Sequence, residues 1–205
     1  MPQSNSHDQT EIVGYYTLEE QRPNYALVNA LLTEQGHPPL DEVSLDGGGG
    51  GALLLRDNWI VDTGGGGGGI VQEKHSYRTA IGGGYGHVSV GYLIMQTSWF
   101  RFYPLIGIGG FGQGLESKPD GENVDIIESA SGGMLLNMGF GFDLTLRLSP
   151  FVFVCGLRVG FHIPTITEKE SLGTPDASTP YFRFIIGGGM KNQKSHWINE
   201  KNRKK

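Results

Sequence analysis

The longest ordered pattern in the chain is a strict two-residue alternation from Leu136 to Leu148. Leu136, Met138, Phe140, Phe142, Leu144, Leu146 and Leu148 are large and apolar, whereas Asn137, Gly139, Gly141, Asp143, Thr145 and Arg147 are small or polar. A helix would scatter the two sets around its surface; an extended strand places them on opposite faces. After Ser149-Pro150 the alternation restarts. Phe151, Phe153, Cys155, Leu157, Val159, Phe161 and Ile163 share one face, and Val152, Val154, Gly156, Arg158, Gly160 and His162 share the other. Shorter copies set Phe182, Phe184 and Ile186 against Arg183, Ile185 and Gly187, and Phe102, Pro104, Ile106 and Ile108 against Arg101, Tyr103, Leu105, Gly107 and Gly109. Val88, Val90, Tyr92 and Ile94 likewise oppose His87, Ser89, Gly91 and Leu93. The period predicts eight strands, at about 11–18, 43–56, 59–73, 77–97, 100–115, 130–148, 151–165 and 181–190. One segment has helical spacing instead. Leu27, Val28, Leu31 and Leu32 predict a helix at about 24–35, capped by Asn24 and ended by Gly36 before Pro38-Pro39.

The connections alternate in length. Arg56-Asp57-Asn58, Thr97-Ser98-Trp99 and Ser149-Pro150 are tight, whereas the links after strands 1, 5 and 7 are long, the first of these holding the helix, and the link near Lys74-His75-Ser76 is intermediate. This is the layout of an up-and-down antiparallel barrel. The composition of the faces decides which way it points. The apolar face is bulky and aromatic-rich; the other is largely glycine, with Asp143, Arg147, Arg158, His162 and Arg183 among it. An eight-stranded barrel has an interior only just wide enough for side chains. Bulky residues outside and small ones with a few charges inside therefore fit, which is the inverse of a water-soluble barrel and the arrangement lipid requires. Trp59, Trp99, Phe100 and Phe151 beside the tight turns, and Tyr77 and Tyr181 beside the opposite links, are placed as aromatic girdles would be.

Glycine supplies 34 of the 205 residues, yet shows no three-residue period, which excludes collagen. Large apolar residues are too frequent for a disordered chain. The length suits one barrel domain at 11–190, between a polar segment at 1–10 and a basic tail at 191–205. The formal charge of −5 is uneven: Lys191 to Lys205 carries six cations and Glu200, a sum of +5, which leaves −10 on the rest. With one aromatic and no recognition motif, the tail reads as a solvated end, and no nucleic-acid partner is expected. Met1 to Thr10 contains no apolar h-region, so no signal peptide is expected there. The single cysteine, Cys155, excludes an internal disulfide and a cysteine-cage metal site.

Several stretches resemble a known group. Asn24-Tyr25-Ala26-Leu27, Leu45-Asp46-Gly47-Gly48-Gly49, Asn58-Trp59-Ile60-Val61, Tyr103-Pro104-Leu105-Ile106-Gly107-Ile108-Gly109-Gly110 and Phe182-Arg183-Phe184-Ile185-Ile186-Gly187-Gly188-Gly189 resemble small Gly-rich outer-membrane β-barrel proteins of Gram-negative bacteria. The likeness covers about residues 11–190. It implies an all-β, eight-stranded, antiparallel, up-and-down transmembrane barrel in the outer membrane, its partner the lipid bilayer. Two features of that group, a signal peptide and a terminal aromatic residue, are not expected from Met1–Thr10 and the basic tail.

Candidate chemistry is sparse. Gly107 to Gly112 spells G-x-G-x-x-G, but the alternation continues through it and no helix follows, so no dinucleotide site is expected. The glycine runs 47–51 and 64–69 are expected within strands. Asp143, Arg147, Arg158, His162 and Arg183 share luminal parity and predict an internal ion-pair network, with a narrow pore as the alternative. For an enzyme, the loop-borne candidates are His75, Ser76, Asp120, Glu122, Asp125 and Glu128, but no spacing joins a nucleophile to a base. The six histidines are scattered, and neither a metal nor a cofactor is expected. The expected role is therefore structural or interaction-based, carried by long loops on a monomeric, non-catalytic barrel. The alternatives are a soluble lipocalin-like carrier of an apolar ligand, a pore, and a barrel enzyme. Whether the helix plugs or caps the barrel is open at this level.

Overall fold

A computed structural model describes residues 9–21, 25–41, 45–119, 127–168 and 179–193. Eight long strands carry the fold: β1 (Gln9–Gln21), β2 (Leu45–Arg56), β3 (Trp59–Lys74), β4 (Tyr77–Tyr92), β5 (Phe100–Pro119), β6 (Ile127–Leu148), β7 (Phe151–Glu168) and β8 (Thr179–Gln193). Each pairs antiparallel with its sequence neighbours, β1 pairs with β8, and the ring closes. No edge strand is left, so the backbone pairing closes within the wall. All eight exceed the roughly nine to eleven residues that a strand needs to cross a bilayer.

The faces fall as the alternation requires. Phe140, Phe142, Leu144, Leu146 and Leu148 are exposed on the outside, as are Phe151, Phe153, Phe161, Phe182, Phe184 and Ile186. Asp143, Thr145, Val152, Val154, Arg158, Arg183 and Ile185 are buried inside. Water would not tolerate this exterior, and lipid tolerates no other. The soluble, lipocalin-like arrangement is the reverse of what is found.

Two details differ from the sequence expectation. Strand β4 ends at Tyr92 and does not run on to residue 97. The β4–β5 ladder stops at Gly91–Leu105 and resumes one residue out of step, with Met95 opposite Phe102 and Gln96 opposite Arg101. The cause lies in Pro104. Proline has no N–H for the ladder, and its carbonyl points toward Gly91, so the missing donor falls on the β4 side of the seam. The Thr97 hydroxyl then closes the turn by accepting the Phe100 N–H at 3.0 Å. The second difference is in the girdle: Tyr181, 4% exposed, points into the lumen, and Tyr77 lies on the inward parity of β4 with its ring 4.6 Å from that of His37, so neither is part of it. Trp59, Trp99 and Phe151 do lie exposed beside the tight turns.

The helix α1 (Ala26–Glu34) follows β1. Tyr25 precedes it without a side-chain cap, and Asn24 lies outside the described residues. Its end is well built. Gly36 adopts φ +78°, the His37 N–H reaches Leu32 O at 2.8 Å, and the Gly36 N–H reaches Thr33 O at 3.1 Å. That pair of bonds is the Schellman closure, which needs a left-handed residue at this position.

The strand glycines take their meaning from the lumen. A Cβ on Gly141 would lie 2.5 Å from the Tyr103 ring, one on Gly51 2.6 Å from the Tyr15 hydroxyl, and one on Gly139 2.8 Å from the Tyr181 hydroxyl. Three tyrosine rings thus lie against bare backbone, which lets a narrow barrel hold aromatic side chains.

Candidate functional site: a charge-matched lumen under a helical cap

From the tight-turn end upward the interior is built in tiers. Glu11 of β1 takes Arg101 Nη2 on one oxygen and Arg147 Nε on the other, the latter at 2.9 Å. Arg147, half-buried, also donates to Ser98 O at 2.6 Å. An apolar cluster that includes Val13, Leu53, Leu55, Ile60, Leu105, Val152 and Ile185 packs around these ions.

The central tier is a chain of partners. Tyr15 donates its hydroxyl to Asp62 Oδ1, and Arg158 Nε reaches Asp62 Oδ2 at 3.4 Å. Arg158 Nη1 reaches Asp143 Oδ1 at 2.6 Å, and Tyr103 OH donates to Asp143 Oδ2 at 2.7 Å. Arg158, Asp62 and Asp143 are each at most 1% exposed. The next tier sets Arg183 Nε 3.0 Å from Glu19 Oε2, an oxygen that also accepts the Tyr85 hydroxyl. The guanidinium lies between the Tyr85 and Tyr181 rings, 5.2 and 4.8 Å from their centroids, a cation–π sandwich. His162 packs on both rings at 4.7 and 4.5 Å, and His87 stacks on Tyr85 at 5.9 Å.

Among the described residues, the lumen's ion pairs use four carboxylates (Glu11, Glu19, Asp62 and Asp143) and four arginines (Arg101, Arg147, Arg158 and Arg183). The charges cancel. Buried ions are tolerable only when paired and hydrogen-bonded in this way.

The helix closes the far end. Tyr25, Val28, Leu32 and Leu40 pack on Ile81 of β4 and Leu115 of β5, and Leu32 is fully buried. His37 Nδ1 lies 2.8 Å from Ser117 Oγ, which lies 2.7 Å from Thr79 Oγ1, so a buried polar seam joins the helix end to the wall. Asn29 clasps Leu40 through both its amide groups, at 3.0 and 2.8 Å. Lys74 pairs with Asp41 at 2.8 Å on the rim. The helix lies within the mouth, packed on inward-facing wall residues.

All five luminal residues read from the sequence face inward. Asp143 and Arg158 pair directly, Arg183 and His162 meet across Tyr85 and Tyr181, and Arg147 sits apart in the Glu11 tier. Glu11, Glu19, Asp62 and Arg101 are further members that sequence reasoning missed. The signal was available: each lies on the inward parity of its own strand, beside Val13, Tyr15, Ile60 or Tyr103. Among the enzyme candidates, His75 and Ser76 are the exposed turn between β3 and β4, at φ 52° and 64°. Glu128 is exposed on β6, two strands further round the ring, and Asp120, Glu122 and Asp125 lie outside the described residues. Among the described residues no group of three or more His, Cys, Asp or Glu is arranged to hold a metal ion.

An apolar exterior, a closed ring and a charge-matched interior define a membrane-spanning β-barrel. Solved structures of similar shape include three outer-membrane proteins. The attachment invasion locus protein Ail of Yersinia pestis shares 11% identity over 91% of this chain and 99% of its own, with a TM-score of 0.47. A major outer membrane protein of Thermus thermophilus shares 11% over 87% and 99%, with a TM-score of 0.49. OprG of Pseudomonas aeruginosa shares 12% over 91% and 96%, with a TM-score of 0.47. No family model and no curated protein matches the chain.

Proposed function

We propose that the protein is a non-conducting, non-catalytic outer-membrane barrel that holds the helix-bearing end of the molecule at the membrane surface, where it engages a partner. The observation that supports this reading is the network of buried ion pairs across the lumen. Paired arginines and carboxylates lie there among buried apolar side chains, and the helix packs at the mouth. A pore would need an open, hydrated path through the same space. Short turns face the inner side of an outer membrane and longer links face outward, which places α1 outside the cell. Bilayer embedding follows from the apolar exterior, and the protein acts as a monomer.

Two measurements test this. In planar bilayers the refolded protein gives no steady conductance; a stable channel would overturn the reading. On intact cells, Asp41→Cys in a Cys155→Ser background reacts with a membrane-impermeant maleimide. Protection of that position until the outer membrane is breached would reverse the orientation.

A further inference from the structure

The outer face is not uniformly convex. A groove of about 750 Å³, bounded at one end by Trp59 of β3 and its partner Tyr92, follows the paired row Gly91, Leu105, Gly139, Gly160 and Tyr181 across the wall to β8. Its volume is within the roughly 300–1,000 Å³ of small-ligand pockets. Its sides are apolar: Tyr92, Pro104, Ile106, Phe140, Met138 and Phe161 project along it. It opens where the β4–β5 ladder ends at Gly91–Leu105, beside Pro104.

The direction of the row matters. It starts at the tight turn between β2 and β3 and climbs away from that end as it passes from β3 to β8. Six strands at about 4.8 Å spacing span about 24 Å; with strands tilted about 45°, the row rises about 17 Å, close to the ~15 Å depth of one leaflet.

The lower end carries a polar anchor. Trp59 and Tyr92 meet edge to face, 5.2 Å apart. Asn58 Nδ2 donates to the Tyr92 hydroxyl at 3.4 Å, which leaves the hydroxyl proton for another acceptor. Arg56 lies directly across the hairpin from Trp59. It is exposed, and among the described strand residues it is the one charged side chain on the outer face at the tight-turn end. The other outward charges among the described strand residues, Glu20, Glu73, Arg78, Glu116, Lys118 and Glu128, lie at the opposite end. Among the described residues, Asp57, next in the turn, forms no ion pair with Arg56.

We propose that this groove is a binding site for an anionic phospholipid of the inner leaflet, its phosphate held at Arg56 and Tyr92 and one acyl chain laid along the Pro104 seam. A guanidinium beside aromatic rings, at the foot of an apolar track one leaflet deep, complements that amphiphile in charge, order and length. The inference goes beyond the surface role proposed above. It requires bilayer embedding, which a heat-dependent gel mobility of the folded protein tests separately.

Brominated lipids provide the assay. Trp99→Phe and Trp197→Phe leave Trp59 as the only tryptophan in the full chain. The protein is folded into phosphatidylcholine vesicles containing graded dibrominated phosphatidylglycerol or dibrominated phosphatidylcholine. Trp59 fluorescence is quenched with an apparent association about fivefold stronger for the anionic lipid, the preference one basic residue confers at a membrane surface. Arg56→Gln removes the preference and leaves folding intact. A control protein with Trp59→Phe and Leu146→Trp, its probe on the outer face of β6 outside the groove, shows no preference. Equal quenching of Trp59 by the two lipids, a preference that survives Arg56→Gln, or the same preference at residue 146 overturns the proposal.

Discussion

Arg158→Met tests the central tier most directly. The guanidinium is 1% exposed and holds two carboxylates, Asp143 at 2.6 Å and Asp62 at 3.4 Å. Its removal leaves each carboxylate buried with a single tyrosine hydroxyl, Tyr103 for Asp143 and Tyr15 for Asp62. Breaking a buried pair by deleting one partner costs roughly 3–5 kcal/mol, because a buried charge is left uncompensated. A second protein, with Arg158→Met, Asp62→Asn and Asp143→Asn together, removes the stranded charges, and most of the loss is recovered. Urea unfolding in lipid vesicles, followed by tryptophan fluorescence and by gel mobility, compares the midpoints. The expected order is wild type, then the triple variant, then Arg158→Met well below both. A loss under about 1 kcal/mol in the single variant, the size seen for solvated pairs, refutes the reasoning. So does a triple variant no more stable than the single.

Three further outcomes follow from the same contacts. Gly141→Ala drives its methyl to 2.5 Å from the fully buried Tyr103 ring and lowers stability by about 1–3 kcal/mol, whereas Gly112→Ala, with nothing within 4 Å, leaves the urea midpoint unchanged. Tyr15→Phe withdraws a hydroxyl from Asp62 and destabilises the barrel by about 1–3 kcal/mol in the same assay. Leu32→Ala opens a void between the helix and Ile81 and Leu115; its effect is local, read as faster hydrogen exchange and proteolysis across residues 25–41 with the barrel's own unfolding midpoint retained.

The parts of this molecule that were legible in sequence are those where one face is uniformly bulky. From Leu136 to Leu148 every even residue is large, so strand, face and neighbours all follow from parity. The same rule carried Asp143, Arg158 and Arg183 into the lumen. It was silent on Glu11, Glu19 and Asp62 because β1 and β3 interrupt their apolar face: Gly14 stands beside Tyr16, and Asp62-Thr63 is followed by six glycines that give no parity signal. The end of β4 was missed for a different reason. Alternation continues past Tyr92 to Ile94, but the seam breaks at a proline on the neighbouring strand, and a strand's own sequence does not report its partner's lost donor. The contact between α1 and the wall was equally hidden, since His37 and Ser117 are 80 residues apart.

That separation has a counterpart throughout the lumen. Glu11 joins Arg101 and Arg147 across 90 and 136 residues, Asp62 joins Arg158 across 96, and Glu19 joins Arg183 across 164. None of these pairs exists in an open sheet or a half-inserted hairpin; each forms only when the first strand meets the last. A slip of one residue in any strand would turn its ions outward into hydrocarbon. The charges thus act as a proofreading lock on the circle: they add little to a barrel already closed in register, and they forbid closure an odd number of residues out of step.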